Sequence, residues 1–395
     1  MNSITSKISL TLLGVLFSTQ GAIADKETGK FLKPSLEISS QFKDEDGAIS
    51  TIKEMYYIDK NSYLGITAKG QVRASDVHSI RKFKTESTDV LSSQSIKFFD
   101  SSWTSFVNYF EGVFSPDRKY FARDFATREK DPIGVWDIES MKQDDVFVLN
   151  SQGARLQFSP DGRKLVSSSA KGHVTFYDFE ESQRFGKDSV LANWMPHEHG
   201  RPVNLTFSED GSSLFTSSLS TDSQDTAAYK VTEWTMPKDL TKADPSKKRV
   251  IRFPMAISHG VFTADRKGYY FASENSLAFF NISEESQSPE GKPKLVWFVK
   301  KLEDSSVKRI VLSPDGKYLV TESGGLSGTD DISNLILWDA KTGTRLSALK
   351  MERVSYLAAS GMLPFSSVTF SPDSRRLAVL ANNKDHNAIW FWNLD

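Results

Sequence analysis

The sequence predicts an all-β chain, a seven-bladed β-propeller of four-stranded antiparallel blades with the ring closed by an N-terminal strand. Three observations lead there: one turn phrase recurs along the chain, each copy is followed by further β-rich runs in a fixed order, and the sequence stops one strand short of a complete last unit. Length alone would allow two or three average domains in 395 residues, but propellers exceed that average as single units, so internal repeats decide the count.

The turn phrase is Phe114-Ser115-Pro116-Asp117, Phe158-Ser159-Pro160-Asp161-Gly162, Leu312-Ser313-Pro314-Asp315-Gly316 and Phe370-Ser371-Pro372-Asp373. Two worn copies stand at Phe207-Ser208-Glu209-Asp210-Gly211 and Phe262-Thr263-Ala264-Asp265. Pro presets the φ that a turn requires, Asp bonds the backbone two residues on, and Gly accepts φ > 0, so each phrase makes a tight corner between strands. A second strand follows, such as Lys164 to Ser168 or Tyr318 to Thr321. The third ends in an aromatic and an acid or amide: Trp136-Asp137, Tyr177-Asp178, Phe280-Asn281, Trp338-Asp339, Trp392-Asn393. A fourth β-rich stretch, for example Arg249 to Phe253 or Lys294 to Phe298, completes the unit. Four antiparallel strands, repeated, describe a propeller blade.

The turn aspartates at 117, 161, 210, 265, 315 and 373 recur at a near-regular interval. One further interval back from the first reaches Asp59, where Tyr56 to Asn61 precedes Tyr63 to Thr67 and then Val72 to Asp76. This predicts a seventh copy in which Ser75 replaces the strand-end aromatic; a degenerate eighth blade stays open. Closure needs an outer strand for the last blade, because an open ring exposes strand edges. Leu36 to Phe42 alternates suitably and is expected to supply it.

The first 24 residues read as an export signal: one cation before an apolar run from Ile8 to Phe17, then Ala22-Ile23-Ala24 before Asp25. The apolar run is about half of the roughly 20 residues that a membrane span requires. The expected organisation is a signal over 1–24 and one propeller over 25–395, with 25–55 as closing strand and lead-in and 56–395 as repeats. Seven blades in the mature chain then take roughly 50 residues each, long for a propeller repeat and therefore loop-rich. Periplasmic or secreted localisation follows as an expectation. Cysteine is absent, which excludes disulfides, thiolate metal sites, thiol nucleophiles and a lipid-modified N-terminal Cys. With 49 Lys+Arg against 50 Asp+Glu, no basic excess points to nucleic acid.

From Tyr56 to Asp395 the sequence resembles the WD-repeat β-propeller family, most specifically in the SPDG-type turns and in Trp136-Asp137 and Trp338-Asp339. It departs from that family where Lys130, Ile332 and His386 replace the Asp expected six residues before the terminal Trp, so the family's hydrogen-bond tetrad does not carry over. The TolB-like propeller repeat, which also uses an SPDG turn in exported bacterial proteins, is a competing relative; the Trp-Asp pairs favour the WD type. The resemblance implies that the SPDG turns form the bottom face and that the longer loops gather on the top.

Those longer segments carry the candidate binding residues: Phe98, Trp103 and Tyr109 between Ser92 and Phe110; Trp194, His197, His199 and Arg201 between Leu191 and Pro202; and Tyr356 between Met351 and Ser366. Aromatics and Arg on loops are what interaction surfaces enrich. His197-Glu198-His199 lacks the further ligands and oriented surroundings that a zinc site needs, so no metal is expected. Asp44-Glu45-Asp46-Gly47 and Asp222 to Asp225 read as turns rather than calcium loops. Gly325-Leu326-Ser327-Gly328-Thr329 misses the second glycine of a nucleophile elbow, and no phosphate loop or cofactor motif occurs.

The function expected is a non-enzymatic exported scaffold, a monomer, that presents its top face or central channel mouth to a protein or peptide partner, without cofactor, nucleic acid, membrane span or lipid anchor. The alternatives are a propeller enzyme of hydrolase or lactonase type with an axial site, or a small-ligand or glycan binder.

Overall fold

The computed structural model describes residues 31–43, 47–69, 79–95, 112–124, 131–141, 147–151, 153–169, 172–180, 190–196, 202–219, 229–253, 259–273, 276–286, 292–300, 307–323, 335–349, 367–382 and 387–394. They form seven antiparallel blades in a ring. From the inner to the outer strand, blade one is Ile49–Tyr57, Ser62–Lys69, Ser79–Lys84 and Val90–Ser95. Blade two is Val113–Phe114, Tyr120–Asp124, Asp131–Asp137 and Phe147–Ser151. Blade three is Gly153–Phe158, Lys164–Ser169, Val174–Asp178 and Val190–Trp194. Blade four is Pro202–Phe207, Ser213–Leu219, Tyr229–Thr235 and Ser246–Phe253. Blade five is His259–Phe262, Gly268–Ser273, Ser276–Asn281 and Lys294–Val299. Blade six is Val307–Leu312, Tyr318–Ser323, Leu335–Asp339 and Arg345–Leu349. Blade seven supplies Ser367–Phe370, Arg376–Asn382 and Asn387–Asn393 from the C-terminal stretch.

The fourth strand of blade seven comes from the other end of the chain. Strand β1 (Phe31–Leu32) lies parallel to the outer strand of blade six. Strand β2 (Leu36–Ser39) runs antiparallel to Asn387–Asn393, pairing Leu36 with Phe391 and Ser39 with Ala388. Strand β3 (Gln41–Lys43) then pairs with the first residues of blade one, Ile49 to Thr51. The single closing strand expected over Leu36 to Phe42 is thus split: only β2 completes blade seven, and Phe42 belongs to β3. The break falls at Ser40, whose amide donates to the Asn387 carbonyl while its own carbonyl accepts from the Ile52 amide.

Each corner repeats one hydrogen-bond pattern. At the first full copy, the Ser115 hydroxyl donates to Asp117 Oδ1 at 2.6 Å, the Lys119 amide to the same oxygen at 3.1 Å, and the Tyr120 amide to Ser115 Oγ at 3.0 Å. The hydroxyl-to-carboxylate bond recurs from Ser159, Ser208, Thr263, Ser313 and Ser371. The seventh copy at Asp59 is real and shorter: Asp59 accepts from the Asn61 amide and the Ser62 hydroxyl. Its third strand is Ser79–Lys84, with Phe83 paired with Tyr63 as the aromatic near its end; Val72 to Asp76, with Ser75, where that strand was expected, lies outside the described residues. The residue after each Asp has φ > 0 in the six full copies, and three of these are not glycine. Each of those three reaches the preceding blade. Arg118 donates to the carbonyls of Tyr57 and Ile58, Arg266 donates to that of Phe207, and Ser374 Oγ accepts from the Asp315 amide. Left-handed strain is offset there by a stitch between neighbouring turns.

These bonds hold the turn carboxylates below the usual range. Asp210 is brought down to about 2, first by the Ser208 hydroxyl and then by the amide and hydroxyl of Ser212. The Ser hydroxyl also leads at Asp117 and Asp373; at Asp161, Asp265 and Asp315 burial opposes the shift, and the hydroxyl and backbone donors prevail. A carboxyl with a depressed folded pKa stabilises the fold above its unfolded value, near pH 4, and that contribution is lost as pH falls through the folded value. Melting temperature is therefore expected to fall between pH 4 and about 2. Asp210→Asn should melt below wild type at pH 7 and converge with it at pH 2; parallel curves at both pH values would refute the assignment.

Indole hydrogen bonds tie the third strand to the second within a blade. Trp338 and Trp234 donate their indole N–H to Thr321 and Thr216 on the neighbouring second strand, at 2.9 and 2.8 Å. The aspartates of both Trp-Asp pairs cap the next turn, Asp137 accepting from the amides of Glu139 and Ser140 and Asp339 from that of Thr342.

Candidate functional site: a polar annulus on the inner strands

The seven inner strands share one register. Each ends at the residue paired with the second residue of its second strand: Tyr57, Phe114, Phe158, Phe207, Phe262, Leu312 and Phe370. Two residues back stand Met55, Gly112, Leu156, Leu205, Gly260, Ile310 and Val368, apolar or glycine in all seven. A Cβ on Gly260 would collide with the Tyr269 ring and its hydroxyl, so this side of the strand is filled by neighbouring rings.

Three residues back, on the opposite side of the pleat, the sequence reads Glu54, Glu111, Arg155, Asn204, His259, Arg309 and Ser367. All seven are polar. Glu111 lies outside the described residues; Glu54, Arg155, His259 and Arg309 are half-buried, and Ser367 is 9% exposed. By the symmetry of the ring, the six described positions of equal register stand at equal height around the axis, about 10 Å from the SPDG turns at roughly 3.3 Å per residue.

Four inner strands carry a β-bulge immediately before this position. The register slips between Ile52 and Glu54, Gly153 and Arg155, Pro202 and Asn204, and Val307 and Arg309. A bulge bends the strand and re-aims the side chain that follows.

The charges are arranged in pairs. Arg123, buried on the second strand of blade two, grips Glu54 with both forks of its guanidinium, Nε to Oε2 at 2.9 Å. Tyr56 donates its hydroxyl to the same carboxylate at 2.7 Å and accepts from the Gly112 amide. Burial disfavours the Arg123 charge, but Glu54 and Tyr56 outweigh it and raise its pKa; burial and Glu54 together push the Tyr56 phenol up. On blade six, Arg309 meets the buried Glu322 at 3.2 Å. Ser367 accepts from the Met55 amide at 3.0 Å, joining blades seven and one. Arg155 acts on Tyr229, whose hydroxyl lies 3.0 Å from that of Tyr269; burial first, and then Tyr269, raises the Tyr229 pKa well above its ordinary value.

Of the candidate residues read from sequence, Phe98, Trp103, Tyr109, His197, His199, Arg201 and Tyr356 lie outside the described residues. Trp194, expected on an exposed loop, instead ends the outer strand Val190–Trp194 and is 8% exposed. Its ring stands edge-on to Trp234 at 4.6 Å and shares a core cluster with Leu240. It serves the contact between blades three and four.

Fold and site together define a seven-bladed WD-repeat-like propeller with a charged inner annulus. No known family profile matches the chain, and no curated relative does. Among solved structures, the chain is similar to the β-propeller domain of Cps50 (Swd1) from Myceliophteria thermophila, with 10% identity, a TM-score of 0.60, and coverage of 91% of this chain and 100% of that one. At that identity the likeness concerns the fold.

Proposed function

We propose that the chain is an exported, non-enzymatic scaffold that binds a protein or peptide segment through the face opposite the SPDG turns, at the mouth of the axis. The observation that carries this reading is the annulus. Radial blades give a rigid frame, and among the described residues six blades place a polar residue at the same inner register, at the end of the ring where outer strands cross to the next inner strand. Segments 96–111, 197–201 and 350–366, with Trp103, Arg201 and Tyr356, lie between strands that end on that same face.

Two measurements test it. N-terminal sequencing of the mature protein after cell fractionation should read from Asp25 in the periplasm or medium; an uncleaved cytoplasmic chain would refute export. Affinity capture from envelope extract with the mature protein should lose a specific partner when Trp103→Ala and Tyr356→Ala are combined, with melting unchanged. A partner retained at full yield would discard this surface.

A further inference from the structure

Blade six already holds a fifth strand. Strand β1 lies along its outer strand Arg345–Leu349, pairing Phe31 with Ala348 and Leu32 with Leu349. It docks just past a β-bulge at Leu346, and Leu32 packs onto the core shared by blades six and seven. The outer strand of blade five has the same bulge, at Val296, so Phe298 and Val299 stand where Ala348 and Leu349 stand on blade six. Among the described residues, no strand lies beyond this edge.

Leu295 to Val299 is an unbroken apolar run. Trp297 is buried in it, Leu295, Phe298 and Val299 are half-buried, and Val296 is exposed. Leu295 and Phe298 border the core between blades four and five, and Val299 borders the core between blades five and six. A strand laid on this edge extends both cores, as Leu32 extends one. Other outer edges are guarded with polar groups: Lys247, Lys248 and Arg249 lie within that of blade four, and the exposed Asn193 holds the pairing position on blade three. On blade five the exposed cations stand only at the ends, Lys294 and Lys300, and neither has an ion-pair partner among the described residues.

We infer that the outer edge of blade five is a strand-binding site, and that its occupant is an extended apolar segment of a partner protein with a carboxylate at each end. The site is separate from the face opposite the SPDG turns and does not depend on that reading. Main-chain bonds to the open edge and cover over the half-buried side chains supply the attraction. The lysines select the occupant. A second copy of this chain, paired antiparallel edge to edge, brings Lys294 of one close to Lys300 of the other, and like charges across a strand pair are destabilising. An acid-ended segment meets opposite charge at the same two places. Lysines that flank an apolar strand thus block self-association and leave the edge open to a complementary strand.

The test follows amide hydrogen exchange by mass spectrometry on the folded protein. The probe is an acetylated, amidated heptapeptide of alternating valine and threonine with glutamate at both ends, and the control has lysine at both ends. The glutamate-ended peptide should slow exchange over Lys294–Val299, leave Val190–Trp194 and Ser246–Phe253 unchanged, and bind about fivefold or more tighter than the control. Val296→Lys should abolish the protection with melting unchanged, because Lys248 occupies the same bulge position on blade four. Lys294→Glu combined with Lys300→Glu should transfer the preference to the lysine-ended peptide. Glu290 and Glu303 lie further out along the chain, outside the described residues; if they neutralise the lysines, both peptides protect alike and the inference falls. Protection absent from Lys294–Val299, or undiminished in Val296→Lys, overturns it as well. So does a wild-type dimer that Val296→Lys dissociates, since that assigns the edge to a second copy.

Discussion

A chain lacking Phe31–Lys43 is expected to lose cooperative unfolding at the wild-type midpoint and to aggregate. This strap touches three blades. The Trp392 indole donates to the Leu32 carbonyl at 3.0 Å, and the Ser35 amide and hydroxyl both donate to the Phe391 carbonyl, at 2.7 and 2.9 Å. Beyond β2, the buried Phe42 meets Phe83 edge-on at 5.3 Å in a cluster with Leu380 and Ile389 of blade seven, with Arg81 above its ring. Phe42→Ala alone should cost about 3–5 kcal/mol, the range for emptying a buried phenylalanine site. The full deletion also exposes the edge of Asn387–Asn393. Urea titrations of both variants measure this, and an unchanged midpoint for the deletion would show that the ring closes by other means.

Arg123→Met is the second large loss. Removing the guanidinium leaves the Glu54 carboxylate without its counter-ion between blades one and two, and breaking a buried pair from one side typically costs about 3–5 kcal/mol. Replacing both members, Glu54→Gln with Arg123→Met, should recover much of that, because no uncompensated charge remains. Guanidinium unfolding of the two variants separates the cases. A double variant as unstable as the single would mean that packing, not charge, governs the site.

How much is legible in sequence follows from what each feature depends on. The SPDG turns are readable because their chemistry is local: Ser, Asp and the residue at φ > 0 act within five positions. The worn copy at Asp59 is found by spacing, but its third strand is not, since nothing local distinguishes Val72 to Asp76 from Ser79–Lys84 until Tyr63 selects Phe83 as its partner. Alternation reveals the closing strand. Its division into β2 and β3, and the addition of β1 to blade six, depend on strands at the far end of the chain. Trp194 reads as exposed because its burial comes from Trp234 and Leu240 on the next blade. The annulus does leave a signal in the sequence: counting three residues back from each turn-anchoring residue gives a polar residue seven times.

The strap also sets a clock. Ser35 and Phe391 are 356 positions apart, and Leu32 and Trp392 are 360, so the first-made strand waits for nearly the last. Blades two to five can form from contiguous chain as it is synthesised, but the ring gains its final contacts only when the C-terminal strand is free to meet β2. Contacts of that sequence separation are slow to form, since the entropy of closing the loop is lost before any pairing is gained. Folding should thus show a fast phase for the blades and a slower, late phase for closure, and during that interval the edge of blade seven is the surface most in need of protection from other chains.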